Sequence, residues 1–126
     1  MVNFEIKLVS MRLVLSVFLL FAAYLVPCTA VAGNTVVGRH YKVDGVCGKC
    51  KDRIEKAVYV KGVRFAEWTV DTHDLTVKYD TVKTAPSIFL KKIAEAGHDN
   101  DMYKAEDSDY NKLPACCKYR SGIKAH

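Results

Sequence analysis

Leu13–Val26 is a run of fourteen residues in which Ser16 is the one polar interruption besides the ring hydroxyl of Tyr24. Lys7 and Arg12 precede it, and Ala30-Val31-Ala32 stands just before Gly33. A positive segment, an apolar segment and a small-residue site in that order are the pattern of an export signal. Cleavage is expected after Ala32, leaving residues 1–32 outside the folded domain. The run falls short of the roughly 20 residues that a membrane-spanning helix needs, and Pro27 follows it. An uncleaved membrane helix is one alternative. A lipid anchor through Cys28 is another, although Pro27 is a poor neighbour for lipid attachment. Met11 directly precedes Arg12 and the apolar run, so it competes with Met1 as the start.

Without residues 1–32 the chain loses Lys7, Arg12 and Glu5, leaving 17 basic and 13 acidic side chains on 94 residues. A domain of that size buries a modest core and gains from disulfide or metal staples. Its small, dispersed positive excess does not suit a nucleic-acid protein. It is also too short for a multidomain enzyme.

The order of elements follows from pattern. Val36-Val37, Tyr41 and Val43 suggest a first strand over 35–43, broken by Asp44-Gly45. From Lys49 to Val60, Ile54, Ala57 and Val58 recur at helical spacing among charged residues, and Lys61-Gly62 stops that helix. Ala66, Trp68 and Val70 share one strand face. After Thr72-His73-Asp74, Leu75, Val77 and Tyr79 alternate with Thr76, Lys78 and Asp80, so the two segments read as a hairpin. Thr84 is the expected N-cap of a second helix with Pro86 in its first turn, Ile88, Phe89, Ile93 and Ala94 as its buried stripe, and Gly97 as its end. Met102-Tyr103 is expected as a short final strand, Glu106–Leu113 as a helical turn or two, and Ser121–His126 as a frayed tail. The expected fold is α+β: a ferredoxin-like βαββαβ sandwich, an antiparallel sheet with two helices on one face, plus a short C-terminal extension. The expected divisions are a signal at 1–32, a domain at 33–105 and an extension at 106–126.

Cys47 and Cys50 stand at the start of the first helix of that domain. Unpaired backbone N–H groups and the helix dipole favour thiolate there. Two thiolates in a short loop suit soft d10 ions such as Cu(I) or Hg(II), whereas structural zinc wants four ligands. Lys49 between them would offset the negative charge of a bis-thiolate ion. Two other readings remain open. Exported thiols tend to oxidise, so Cys47, Cys50, Cys116 and Cys117 also fit a disulfide-stapled module. Cys-Gly-x-Cys at a helix start also fits a thiol–disulfide oxidoreductase. Against the latter, Val46 stands where thioredoxins carry an aromatic, and Pro86 reads as a helix-start residue rather than a cis-proline facing the thiols.

Cys47-Gly48-Lys49-Cys50 after a first strand, then Ile54-Glu55-Lys56-Ala57 and Gly62-Val63, resembles the heavy-metal-associated domain of copper chaperones, metal-pump N-terminal domains and periplasmic mercury-binding proteins. Leu75–Asp80 and Ile93-Ala94-Glu95-Ala96-Gly97-His98 continue the likeness, which covers about residues 36–103. Two departures stand out. Asp44-Gly45 replaces the usual Gly-Met before the first Cys, a Met that packs into the core behind the loop, and His98 replaces an aromatic.

The resemblance implies an exported bacterial protein of the copper- or mercury-binding type, with Cys47 and Cys50 as primary ligands in an exposed loop. It implies Cu(I) as the ion, with Hg(II) or Zn(II) as alternatives, and a membrane metal transporter or efflux pump as partner. Neither catalysis nor nucleic-acid binding is implied, and the protein is expected to be a monomer in the periplasm or secreted. His98, in the loop beside the metal loop, is an auxiliary ligand candidate or a solvated side chain. Cys116 and Cys117 are auxiliary candidates if the extension folds back over the domain. His40, His73 and His126 read as surface residues, and Tyr103, Tyr110 and Tyr119 as pins for the extension.

Overall fold

The computed structural model describes residues 2–22, 33 and 35–126. The chain divides into two compact units, residues 1–32 and 33–126. The first contains helix α1, Val2–Ala22. Among the described residues no helix is long and apolar enough to cross a membrane. Pro27, Cys28 and the Ala30–Ala32 cleavage site lie outside the described residues.

The second unit runs β1 (Val36–Lys42), α2 (Gly48–Val58), β2 (Val63–Thr69), β3 (Asp74–Asp80), α3 (Pro86–Glu95) and α4 (Asp107–Asn111). It closes with two single turns of 3₁₀ helix, Ala115–Cys117 and Tyr119–Ser121. The sheet is antiparallel in the order β1-β3-β2. This is the expected ferredoxin-like α+β arrangement. Alternation on β3 buries Leu75, Val77 and Tyr79, and the α2 periodicity buries Cys50, Ile54 and Val58 against them. Trp68 from β2 and Phe89, Leu90 and Ile93 from α3 complete the core. Tyr41 and Tyr79 both pack edge-on against Phe89.

Several local expectations are corrected. The final strand does not form: Asn100 folds its carboxamide oxygen onto the N–H groups of Met102 and Tyr103, a side-chain turn that competes with strand pairing. What remains of it is the isolated bridge Val43↔Asn100 beside β1. The N-cap of α3 is Ala85 rather than Thr84, whose buried hydroxyl has no hydrogen-bond partner. Ile88 is exposed and Leu90 takes its place in the α3 stripe. Val70 lies just past the end of β2 and is only partly buried. The tail is not free either, since the His126 N–H donates to the Val46 carbonyl at 2.7 Å.

Candidate metal centre

Cys47 is the extended residue that enters α2 (φ −154°, ψ 170°), and no side chain caps the helix there. The first-turn N–H groups are therefore available to sulfur. The N–H groups of Cys50 and Lys49 favour charge on the Cys47 sulfur, and those of Val46 and Cys47 favour it on the Cys50 sulfur. The two sulfurs lie 3.4 Å apart and are not bridged.

Beneath the loop, Gly45 packs closely against the Trp68 ring. A Cβ on Gly45 would stand 2.9 Å from the Trp68 ring and 3.0 Å from Cys50 Cβ, so only glycine admits both. The indole N–H donates to the Val43 carbonyl at 3.0 Å and fixes the ring under the thiols. Gly45 and Trp68 thus form the floor of the loop.

The loop also has a roof, which corrects the expectation of an exposed site. Cys47 is 4 % exposed, and Cys50 and Cys117 are 0 % exposed. The extension folds back so that Cys117 Sγ lies 3.5 Å from Cys47 Sγ. The sulfurs of Cys47, Cys50 and Cys117 all fall within 4.8 Å of one another, the one such group of metal-capable side chains among the described residues. Cys116 is half-buried, with its sulfur 3.9 Å from that of Cys117 and outside the group. It lines a cleft with Cys47, Lys49, Asp52 and His126.

The three thiols differ in acidity. Burial opposes charge on Cys47, but the N–H and thiol of Cys50, the thiol of Cys117 and the N–H of Lys49 together hold it below the usual thiol range. Burial keeps Cys50 above that range despite the Val46 N–H. Burial, and then the neighbouring Cys50 and Cys47, push Cys117 well up. The first proton to leave is that of Cys47, so this sulfur is the nucleophilic entry point for an incoming soft ion.

His98 is fully buried rather than solvated, and it lies outside the thiol group. Its Nδ1 is 2.8 Å from the Asp44 carbonyl oxygen, so Nδ1 carries the proton, while Nε2 is buried without a partner. Burial first, and then the Arg53 charge, lower its pKa to about 4. Its face is covered by Tyr119, with ring centroids 5.7 Å apart.

Tyr119 belongs to a clasp that nothing in the spacing of its members advertises. Its hydroxyl accepts from the Asp99 N–H and donates to the Gly97 carbonyl, both at 2.9 Å. Arg120 grips Asp99 with two N–H groups, at 3.0 and 2.6 Å, and reaches Asp107 at 2.9 Å. Its guanidinium lies 4.3 Å over the Tyr110 ring. Gly97, at φ +98°, closes α3 where a Cβ would meet Leu113 at 3.0 Å. His40 and His73 stay at the surface, beside Asp74 at 2.8 Å and Asp44 at 3.7 Å.

Residues 40–99 match the heavy-metal-associated domain family. Among solved structures, the CopZ metallochaperone is 30% identical with a TM-score of 0.49, the alignment covering 51% of this chain and 98% of that one. Oxidized MerP from Ralstonia metallidurans CH34 is 28% identical with a TM-score of 0.50, covering 52% and 94%. The N-terminal domain of a potential copper-translocating P-type ATPase from Bacillus subtilis, in the Cu(I)-loaded state, shares the fold at 22% identity and TM-score 0.50, covering 57% and 92%. No curated protein is significantly similar to the chain. Residues 40–99, with the thiol pair at the start of α2, belong to the heavy-metal-associated domain family.

Proposed function

We propose that the protein binds Cu(I), with Hg(II) as the nearest competitor, through Cys47 and Cys50. On this reading it works without catalysis, outside the cytoplasm, and passes the ion to or shields it from a membrane metal transporter. The observation that carries the reading is the unbridged Cys47/Cys50 pair, 3.4 Å apart at the uncapped start of α2. That donor set is soft, is charged at one sulfur first, and offers no hard oxygen ligand that would favour Mg(II) or Ca(II). Lys49, on the cleft beside Cys47, supplies positive charge near a bis-thiolate ion. The CopZ and MerP likenesses point the same way.

The test is a Cu(I) competition titration against a coloured chelator on the reduced chain, run beside an insulin-reduction assay. Cys47→Ser and Cys50→Ser should each lower Cu(I) affinity by orders of magnitude, because a hydroxyl is a hard, protonated donor. Unchanged affinity in both variants, together with insulin reduction that depends on both cysteines, would replace this reading with a thiol–disulfide exchanger.

A further inference from the structure

The two-cysteine loop accounts for Cys47 and Cys50 but leaves unexplained why a third thiol is buried against them. It also leaves unexplained why the segment carrying that thiol is clasped so firmly to the domain.

We propose that the C-terminal extension is a built-in third arm of the site: Cys117 completes with Cys47 and Cys50 a buried three-thiolate site that retains a soft ion. This rests on the metal-binding reading above and assigns the extension its part in it.

Sulfur spacing favours three ligands over two. At a metal–sulfur length of about 2.3 Å, two thiolates in line through an ion stand about 4.6 Å apart, and three around it in a plane about 4 Å. Cys47 Sγ is 3.4 Å from Cys50 Sγ and 3.5 Å from Cys117 Sγ. A planar three-coordinate ion asks these sulfurs to part by about 0.5 Å, and a linear pair asks for about 1.2 Å between Cys47 and Cys50. The smaller movement suits a loop floored by Gly45 and Trp68.

The third arm is also held in place independently of any metal. Pro114 opens the turn Ala115–Cys117, whose Cys117 N–H bonds the Pro114 carbonyl at 2.8 Å. Two residues on, Tyr119 is bonded to Gly97 and Asp99, and Arg120 to Asp99, Asp107 and Ala105. None of these contacts uses a sulfur. Cys117 is therefore positioned before the ion arrives, which removes the ordering cost of recruiting a distant ligand.

On binding, each of the three thiols gives its proton to solvent as its sulfur–metal bond forms, and the ion keeps its oxidation state. An acceptor that takes the ion must then displace three sulfurs in a closed site, so release is slow until the extension lifts.

The experiment is X-ray absorption of the reduced full chain loaded with one equivalent of Cu(I), read for the number of sulfur neighbours. Wild type and Cys116→Ser should show three, and Cys117→Ser two with the ion still bound. Transfer of the ion to a small dithiol should be at least tenfold faster from Cys117→Ser than from wild type. Two sulfurs in wild type, with transfer unchanged by Cys117→Ser, would overturn the third arm and leave the two-cysteine reading standing. Absence of any sulfur-bound copper in wild type would overturn both. The wild-type sulfur count decides the matter even where Cys117→Ser folds poorly.

Discussion

The ring of Tyr119 lies over the imidazole of His98 at an interplanar angle of 20°, and the same tyrosine's hydroxyl bridges the Asp99 N–H and the Gly97 carbonyl. One side chain thus covers a buried histidine and pins the extension to the end of α3. The segment that brings Cys117 to the thiol pair hangs on this contact.

Tyr119→Phe keeps the stack and removes the bridge, leaving one donor and one acceptor unpaired in a half-buried place. The expected cost is about 1–3 kcal/mol, read as a lower urea midpoint of the reduced, metal-free protein. Hydrogen exchange should speed up over residues 113–121, while the strands stay protected. Equal loss of protection on β3 would mean that the extension is part of the global folding unit.

His98 makes stability depend on pH. Its folded pKa is lowered from 6.5 to about 4, by burial and then by the Arg53 charge on α2, against the opposing pull of the Asp44 carbonyl and of Asp99. Tyr119 covers its remaining face. Below about 6.5 the unfolded chain takes up a proton that the folded chain refuses. Stability is therefore full above pH 6.5 and falls as pH drops toward 4, by up to about 3 kcal/mol. Asp99, whose own burial is outweighed by Arg120 and the Ala105 N–H, stays charged through this window because its pKa is held below the ordinary carboxylate value. Urea midpoints at pH 7.5 and 4.5 should differ accordingly. His98→Asn, whose amide can still donate to Asp44, should flatten the difference.

Gly45→Ala should cost about 1–3 kcal/mol, since the new methyl has to push aside the Trp68 ring and Cys50. Trp68 is the chain's one tryptophan. Its emission should shift in the folded variant, reporting displacement of the floor beneath the thiols. A variant with unchanged melting temperature and emission would show that the loop yields freely.

The export reading has its own check. Mass spectrometry of protein recovered from a bacterial host is expected to find an N-terminus at Gly33. A lipid-modified Cys28, or retention of Leu13–Val26, would replace the cleaved-signal reading.

Short-range physics made most of the fold legible. The Leu75-Val77-Tyr79 alternation and the Ile54–Val58 spacing report directly on burial, and both elements form where the pattern places them. The pattern misleads where burial or a side-chain turn overrides it. Thr84 has the chemistry of a cap, but its hydroxyl is buried and Ala85 takes the position. Met102-Tyr103 has strand composition, but the Asn100 side chain turns the chain first. The site divides in the same way. Cys47 and Cys50 are readable because the helix start and the cysteine spacing are local. Cys117 differs from Cys116 only through the register of a 3₁₀ turn set by Pro114 and by a tyrosine–arginine clasp across the domain. His98 looks solvated until Tyr119 is placed over it.

The bridge between Val43 and Asn100 bears on how the molecule behaves among its own copies. β1 is an edge strand, and an open edge is a template for another chain. Here the Asp44 N–H is bonded to the Asp99 carbonyl, the Lys42 carbonyl takes the Asp101 N–H, and the Lys42 N–H meets the Asp101 carboxylate at 2.7 Å. A fourth strand that forms only as a bridge nevertheless occupies the end of that edge nearest the thiols. Strand addition by a neighbouring copy at this end of β1 would first have to peel away Asp99–Asp101.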